Sequence, residues 1–239
     1  MNNITLRQTL PEVFAGRNEV HSEVWHQTVE WCKGEIYLVE AQSGTGKSSL
    51  CSYIYGYRND YQGIIDFDGE NIRHNTVKQW VELRRHSLSM MFQELRLFTE
   101  LTVWENIQLK NQLTHHLSKK QVEEYLEQLG IAEKRNILVA HISFGQQQRV
   151  AFIRALCQPF DFLFLDEPTT GPDVEAREAI LDILREYIFL DEPVSHLDKK
   201  NAEIMAEILM AEVKKQGAGV IVTSIGSRLD LPYTKTFRL

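Results

Sequence analysis

Ala41-Gln42-Ser43-Gly44-Thr45-Gly46-Lys47-Ser48 is the stretch from which the fold can be read. Before it, Glu35-Ile36-Tyr37-Leu38-Val39-Glu40 has the apolar character of a strand, and after it the run from Lys47 to Tyr55 reads as a helix. Strand, glycine-rich turn and helix in that order make a phosphate cradle. The glycines let the backbone fold tightly enough for several N–H groups to point inward, and the helix start adds partial positive charge. Ser43, Gly44, Thr45, Gly46 and Ser49 are candidates to line a nucleotide's phosphates. Lys47 reaches toward the β- and γ-phosphates, and the Ser48 hydroxyl is a ligand for Mg²⁺. Ala41 replaces the first glycine of the strict pattern, at a position that packs the turn rather than touching phosphate.

Outward from this loop, strands and helices alternate. Residues 3 to 40 alternate apolar and polar side chains. Gly63 to Gly69 reads as strand and turn, Ser87 to Phe92 as strand, and residues 102 to 132 as helix, with apolar positions at Val103, Ile107, Val122, Tyr125 and Leu129. A helix from Gly145 to Cys157 leads into the strand Phe162-Leu163-Phe164-Leu165. Helices at 174 to 187 and 199 to 215 and a strand at Gly219 to Thr223 follow. The expected fold is α/β: a mainly parallel sheet with flanking helices and an N-terminal antiparallel β part. No Pro/Gly/Ser-rich linker divides it, so 1–239 is expected to be one domain.

The stretch Ile142-Ser143-Phe144-Gly145-Gln146-Gln147-Gln148-Arg149-Val150 separates the competing phosphate-loop proteins. It resembles the LSGGQ-QQRV signature of the ATP-binding-cassette family, with Phe144 in place of the first glycine. The resemblance implies a P-loop NTPase fold with a helical signature subdomain at about 94–157. It also implies that Ser143, Gly145 and Gln146 grip the γ-phosphate of ATP held by an opposite subunit. Asp166-Glu167, 23 residues after Ser143, is similar to the family's Walker B pair. Asp166 would orient Mg²⁺, and Glu167 would polarise the attacking water. Gln93 matches the family's Q-loop glutamine, which the resemblance implies touches Mg²⁺ and reports to the partner. Phe14 is either the aromatic that stacks on adenine or a core phenylalanine. The stretch Arg84 to Leu109 resembles the small-cassette branch that powers lipoprotein release, macrolide-type export or cell-division complexes.

Two departures from the family pattern bear on activity. Ser224 stands where the family has a histidine against the γ-phosphate, and serine is shorter and cannot become cationic. In addition, Leu165-Asp166-Glu167-Pro168 recurs 25 residues later as Leu190-Asp191-Glu192-Pro193. The first copy has the right spacing from the signature, and the second has the right spacing to the terminal strand. Residues of about 166–190 are thus an extra near-repeat segment. The catalytic pair is Asp166 and Glu167, with Asp191 and Glu192 as the alternative.

The whole chain, 239 residues with 43% hydrophobic and 25% charged, is globular in composition. A net charge of −7 with no basic run speaks against nucleic-acid or lipid-surface binding. The N-terminus has no apolar stretch of signal-peptide type and no segment has the length of a membrane span, so a cytoplasmic chain is expected. Three widely spaced cysteines, Cys32, Cys51 and Cys157, read as free thiols. The resemblance implies an ATPase with ATP and Mg²⁺ as cofactors, working as a homodimer or with a paired cassette. It would be peripheral to the membrane through a permease partner. The alternative is an ATP-dependent switch with little hydrolysis. A soluble cassette of the DNA-repair or translation type would carry coiled-coil insertions or a second cassette, and neither is visible.

Overall fold

The computed structural model describes residues 1–16, 20–42, 44–166, 195–224 and 229–239, the side chains of 195–199 excepted. Strand β1 (Asn3–Pro11) pairs antiparallel with β2 (Thr28–Cys32). Next come β3 (Ile36–Glu40) and helix α1 (Lys47–Ile54), separated by the glycine-rich loop. β4 (Tyr61–Phe67) turns through Asp68-Gly69, both at positive φ, into the two-residue β5 (Glu70–Asn71). These pair into an antiparallel sheet of order β2-β1-β4-β5.

Helix α2 (Val77–His86) precedes β6 (Leu88–Met91). The expected helix across 102 to 132 is two helices, α3 (Val103–Asn111) and α4 (Lys119–Gln128). The break has a local cause. Asn111 exchanges two hydrogen bonds with the backbone of Leu117, and Ser118 opens a capping box with Gln121 that starts a new helix. α5 (Phe144–Leu156) and β7 (Phe162–Asp166) follow, then α6 (Ser195–Gln216), β8 (Gly219–Ser224) and β9 (Lys235–Arg238). The expected helix 174–187 and the second Asp-Glu-Pro copy lie outside the described residues.

The parallel sheet runs β6-β7-β8-β3-β9. Its inner strands β3, β7 and β8 are buried on both faces, and their side chains divide with period two. Leu38, Leu163, Leu165, Val220 and Val222 join the core under α3, α4, α5 and α6. Tyr37, Val39, Phe162, Phe164 and Ile221 face the antiparallel sheet and α1. Tyr125 of α4 donates to the buried Glu212 carboxylate of α6 at 2.6 Å, tying helices of distant sequence. Burial opposes ionisation of Glu212, but hydrogen bonds from Tyr125, Lys215 and Gln216 bring its pKa below the ordinary value. Among the described residues no helix is long and apolar enough to cross a membrane.

Candidate functional site

The registers of the parallel sheet gather the candidate residues at one edge. Met91 pairs with Leu165, Asp166 with Thr223, and Glu40 with Ser224. The C-terminal ends of β3, β6, β7 and β8 therefore lie together there, which is where open α/β sheets hold ligands. The P-loop leaves β3 with Ala41 N–H donating to the Ser224 carbonyl at 3.0 Å.

The loop rests on two aromatic side chains. Gly46 has φ 95, and a Cβ there would lie 3.0 Å from Phe14 Cε2 and 3.2 Å from Trp25 Cζ2. Only glycine fits both the dihedral and the space. Trp25 Nε1 also donates to the Thr45 carbonyl at 2.9 Å, while Thr45 Oγ1 donates to the Gln42 carbonyl. Phe14 is 5% exposed and serves as the floor of the loop, with little of its ring open to a base. At Gly44, φ 80, a Cβ would meet open space, so only the dihedral favours glycine there. Ser49 accepts from Arg58 Nη1 at 3.1 Å, which engages its hydroxyl away from the loop. Ser48 is exposed on the first turn of α1. Ser43 lies outside the described residues.

Lys47 is buried at the head of α1, and burial lowers its pKa while Asp166 and Cys51 oppose that shift. Asp166 is 3% exposed. Burial pushes its carboxyl up, against the hydrogen bond from Thr223 Oγ1 and the charge of Lys47; Glu94 adds to the rise. A buried lysine at the head of α1 and a buried carboxyl at the end of β7 thus feel each other's charge. This donor set fits a phosphate chain with a divalent cation: N–H groups and Lys47 for phosphate, the Ser48 hydroxyl and Asp166 for the metal. Thr223 and Trp25 were not among the residues singled out from sequence. Thr223 directly precedes Ser224 and could have been found there, whereas Trp25 touches the loop only through tertiary folding.

Ser224 is 1% exposed at the end of β8, beside the P-loop entry. Gln93 is exposed in a tight turn just past β6. Glu167, Asp191 and Glu192 lie outside the described residues. The first copy's strand, Phe162–Asp166, is β7, between β6 and β8.

Ser143, Gly145 and Gln146 form a second group at the start of α5. Ser143 caps the helix by accepting from Gln146 N–H at 3.3 Å, and Gln146 Oε1 accepts from Ser143 N–H at 2.9 Å. A hydroxyl that accepts in this way keeps its proton for an outside oxygen. Phe144 packs against the core, and a side chain at Gly145 would meet only open space. The described hydrogen bonds of these residues stay within α5 and its cap, and Ser143 is exposed.

Comparison with known proteins bears on the chain's family and fold. The profile of the family described as "ABC transporter" matches residues 27–170. The thiamine import ATP-binding protein ThiQ of Vibrio parahaemolyticus is 38% identical over 157 residues, 64% of this chain and 64% of that protein. The probable ABC transporter ATP-binding protein PEB1C of Campylobacter jejuni is 33% identical over 158 residues, with the same coverage of both chains. The match thus spans somewhat under two thirds of these relatives' length. Among solved structures, the dimeric bacterial ABC transporter cassette MJ0796 superposes with a TM-score of 0.66 at 22% identity, over 92% of this chain and 87% of that one. A post-hydrolysis state of the same cassette, bound to ADP and Pi, superposes at 0.63 and 21% identity.

Proposed function

This chain belongs to the ABC transporter family, and from that membership we propose that it binds and hydrolyses ATP as the nucleotide-binding subunit of a transporter. One observation carries the reading: the buried pair Lys47 and Asp166, at the mouth of a P-loop whose neighbour β8 supplies Thr223 to hold the carboxylate. Lys47 and the N–H groups opening α1 bind the phosphates. Asp166, with Thr223 fixing one of its oxygens, and Ser48 hold Mg²⁺, which when bound neutralises charge on the β- and γ-phosphates. Glu167 polarises the attacking water, and Gln93 closes the site from the β6 side. Phe14, the floor of the loop, contributes an edge rather than a stacking face to the adenine side.

A second copy or a paired cassette completes each site in trans. The exposed Ser143 at the start of α5 supports this arrangement, because it and the open flank of Gly145 are available to the opposite subunit's γ-phosphate. A membrane permease is the partner that movement would reach. Tyr57 and Phe98, both about half exposed near the Gln93 turn, suit that contact. The relatives named above include one import protein, ThiQ, whereas Arg84 to Leu109 resembles the branch that powers lipoprotein release, macrolide-type export or cell-division complexes; direction and cargo lie with the permease.

Ser224 favours a second reading, an ATP-driven switch with little turnover. Steady-state hydrolysis by the purified chain, beside Glu167→Gln and Glu192→Gln, tests both. Turnover lost only with Glu167→Gln supports an ATPase working from the first copy. Loss only with Glu192→Gln moves the role to the second. Tight ATP binding without turnover in any variant leaves the switch.

A further inference from the structure

The turn that carries Gln93 is held by a side chain from the signature helix. Gln93 and Glu94 form the centre of the turn, closed by Leu95 N–H donating to the Phe92 carbonyl at 2.9 Å. The chain leaves it through two consecutive left-handed residues, Leu95 at φ 58 and Arg96 at φ 47. Neither belongs to the types that tolerate this region, so both carry a steric cost and need an outside hold. Arg154, on the last turn of α5, provides one. Its Nη1 donates to the Arg96 carbonyl at 2.8 Å and its Nη2 to the Leu95 carbonyl. The planar fork of a guanidinium meets two adjacent carbonyls at once, which an ammonium on a flexible stem does not. The surroundings are cationic: burial first, then Arg154 and Arg84, push Lys110 down to about 8. The described hydrogen bonds of Arg154 run to these carbonyls rather than to a carboxylate, so its charge is directed onto the strained pair.

We propose that Arg154 is a positioning residue for the γ-phosphate site: by gripping both carbonyls of the strained pair it sets the placement of Gln93 and links it to the helix that begins at Ser143. The inference rests on the hydrolysis reading above for its kinetic consequence, but not for its structural one.

The test uses the full chain with Arg154→Lys, Arg154→Gln, and Arg154→Lys combined with Arg96→Gly. A misplaced Gln93 lowers kcat for ATP by about 10- to 100-fold, while KM for ATP and Kd for MgADP stay close to those of the parent. Glycine at 96 removes the left-handed penalty and recovers part of kcat in the Arg154→Lys background. A merely structural arginine would lower nucleotide affinity along with kcat and would not be rescued at position 96. Amide hydrogen exchange over residues 92–98 reads the same hold without turnover. Arg154→Lys speeds that exchange in the nucleotide-free chain, and Arg96→Gly slows it again. Unchanged exchange and unchanged kcat in Arg154→Gln overturn the proposal, even in an active ATPase. Faster exchange in a chain that never turns over sinks the hydrolysis reading alone.

Discussion

Asp166 shows what burial at the C-terminal edge of the sheet costs a single residue. Its carboxylate is enclosed, and burial outweighs the help of Thr223 and Lys47, so its folded pKa lies above the ordinary value. A carboxyl with a raised folded pKa binds protons more readily folded than unfolded. Its ionisation therefore destabilises the nucleotide-free chain above the unfolded pKa, and the penalty disappears as pH falls. Asp166→Asn is accordingly expected to raise the thermal midpoint of the nucleotide-free chain at pH 7. The gain should fade as pH drops through the carboxylate range, and MgATP binding should be lost. Thermal unfolding at neutral and mildly acidic pH, with and without MgATP, reads all three effects. An Asn variant less stable than the parent at pH 7 would show that the pairing with Lys47, not burial, dominates there.

Four helices, α2, α3, α4 and α5, begin with the same device, a Ser or Thr cap reciprocated three residues on by Gln or Glu. At Thr102 the cap is structural; at Ser143 it coincides with the signature. Thr102→Ala and Ser143→Ala should each cost about 1 kcal/mol of stability, whereas only Ser143→Ala should depress ATP hydrolysis strongly. Urea unfolding alongside steady-state turnover makes the comparison, and equal loss of turnover in the two variants would remove the special role of Ser143. Legibility at this scale followed locality. The glycine-rich loop, α5 and the buried-type strands β3, β7 and β8 could be read because each carries its own pattern. Helix α2 was not recognised, although Thr76 and Gln79 form its capping box; it is amphipathic, but it is rich in polar residues and none of its side chains is fully buried. β9 was missed because a four-residue strand with only Phe237 buried gains its order from pairing with β3. The break between α3 and α4 was hidden because apolar positions continue on both sides of it.

For the molecule as a whole, the near-repeat bears on the interior of the parallel sheet. The first copy ends β7 in the interior of the parallel sheet, and α6 begins at Ser195, three residues after Glu192. Removing residues 166–190 would leave Phe162 to Leu165 in place and follow them with Asp191-Glu192-Pro193. Because the strand's core residues are unchanged, the shortened chain should fold with a thermal midpoint no lower than that of the parent. Loss of folding on deletion would mean that the extra segment contributes to the core. The sequence by itself determined the family, the phosphate loop, the alternation of strand and helix and the signature, since these rest on residue types at short, local spacing. Only the tertiary structure decided that Phe14 and Trp25 carry the loop, that Thr223 holds Asp166, and that Arg154 grips the turn after Gln93. Those contacts join residues far apart in the chain, and what brings them together is the register of a parallel sheet and the packing of helices on it, which no local pattern encodes.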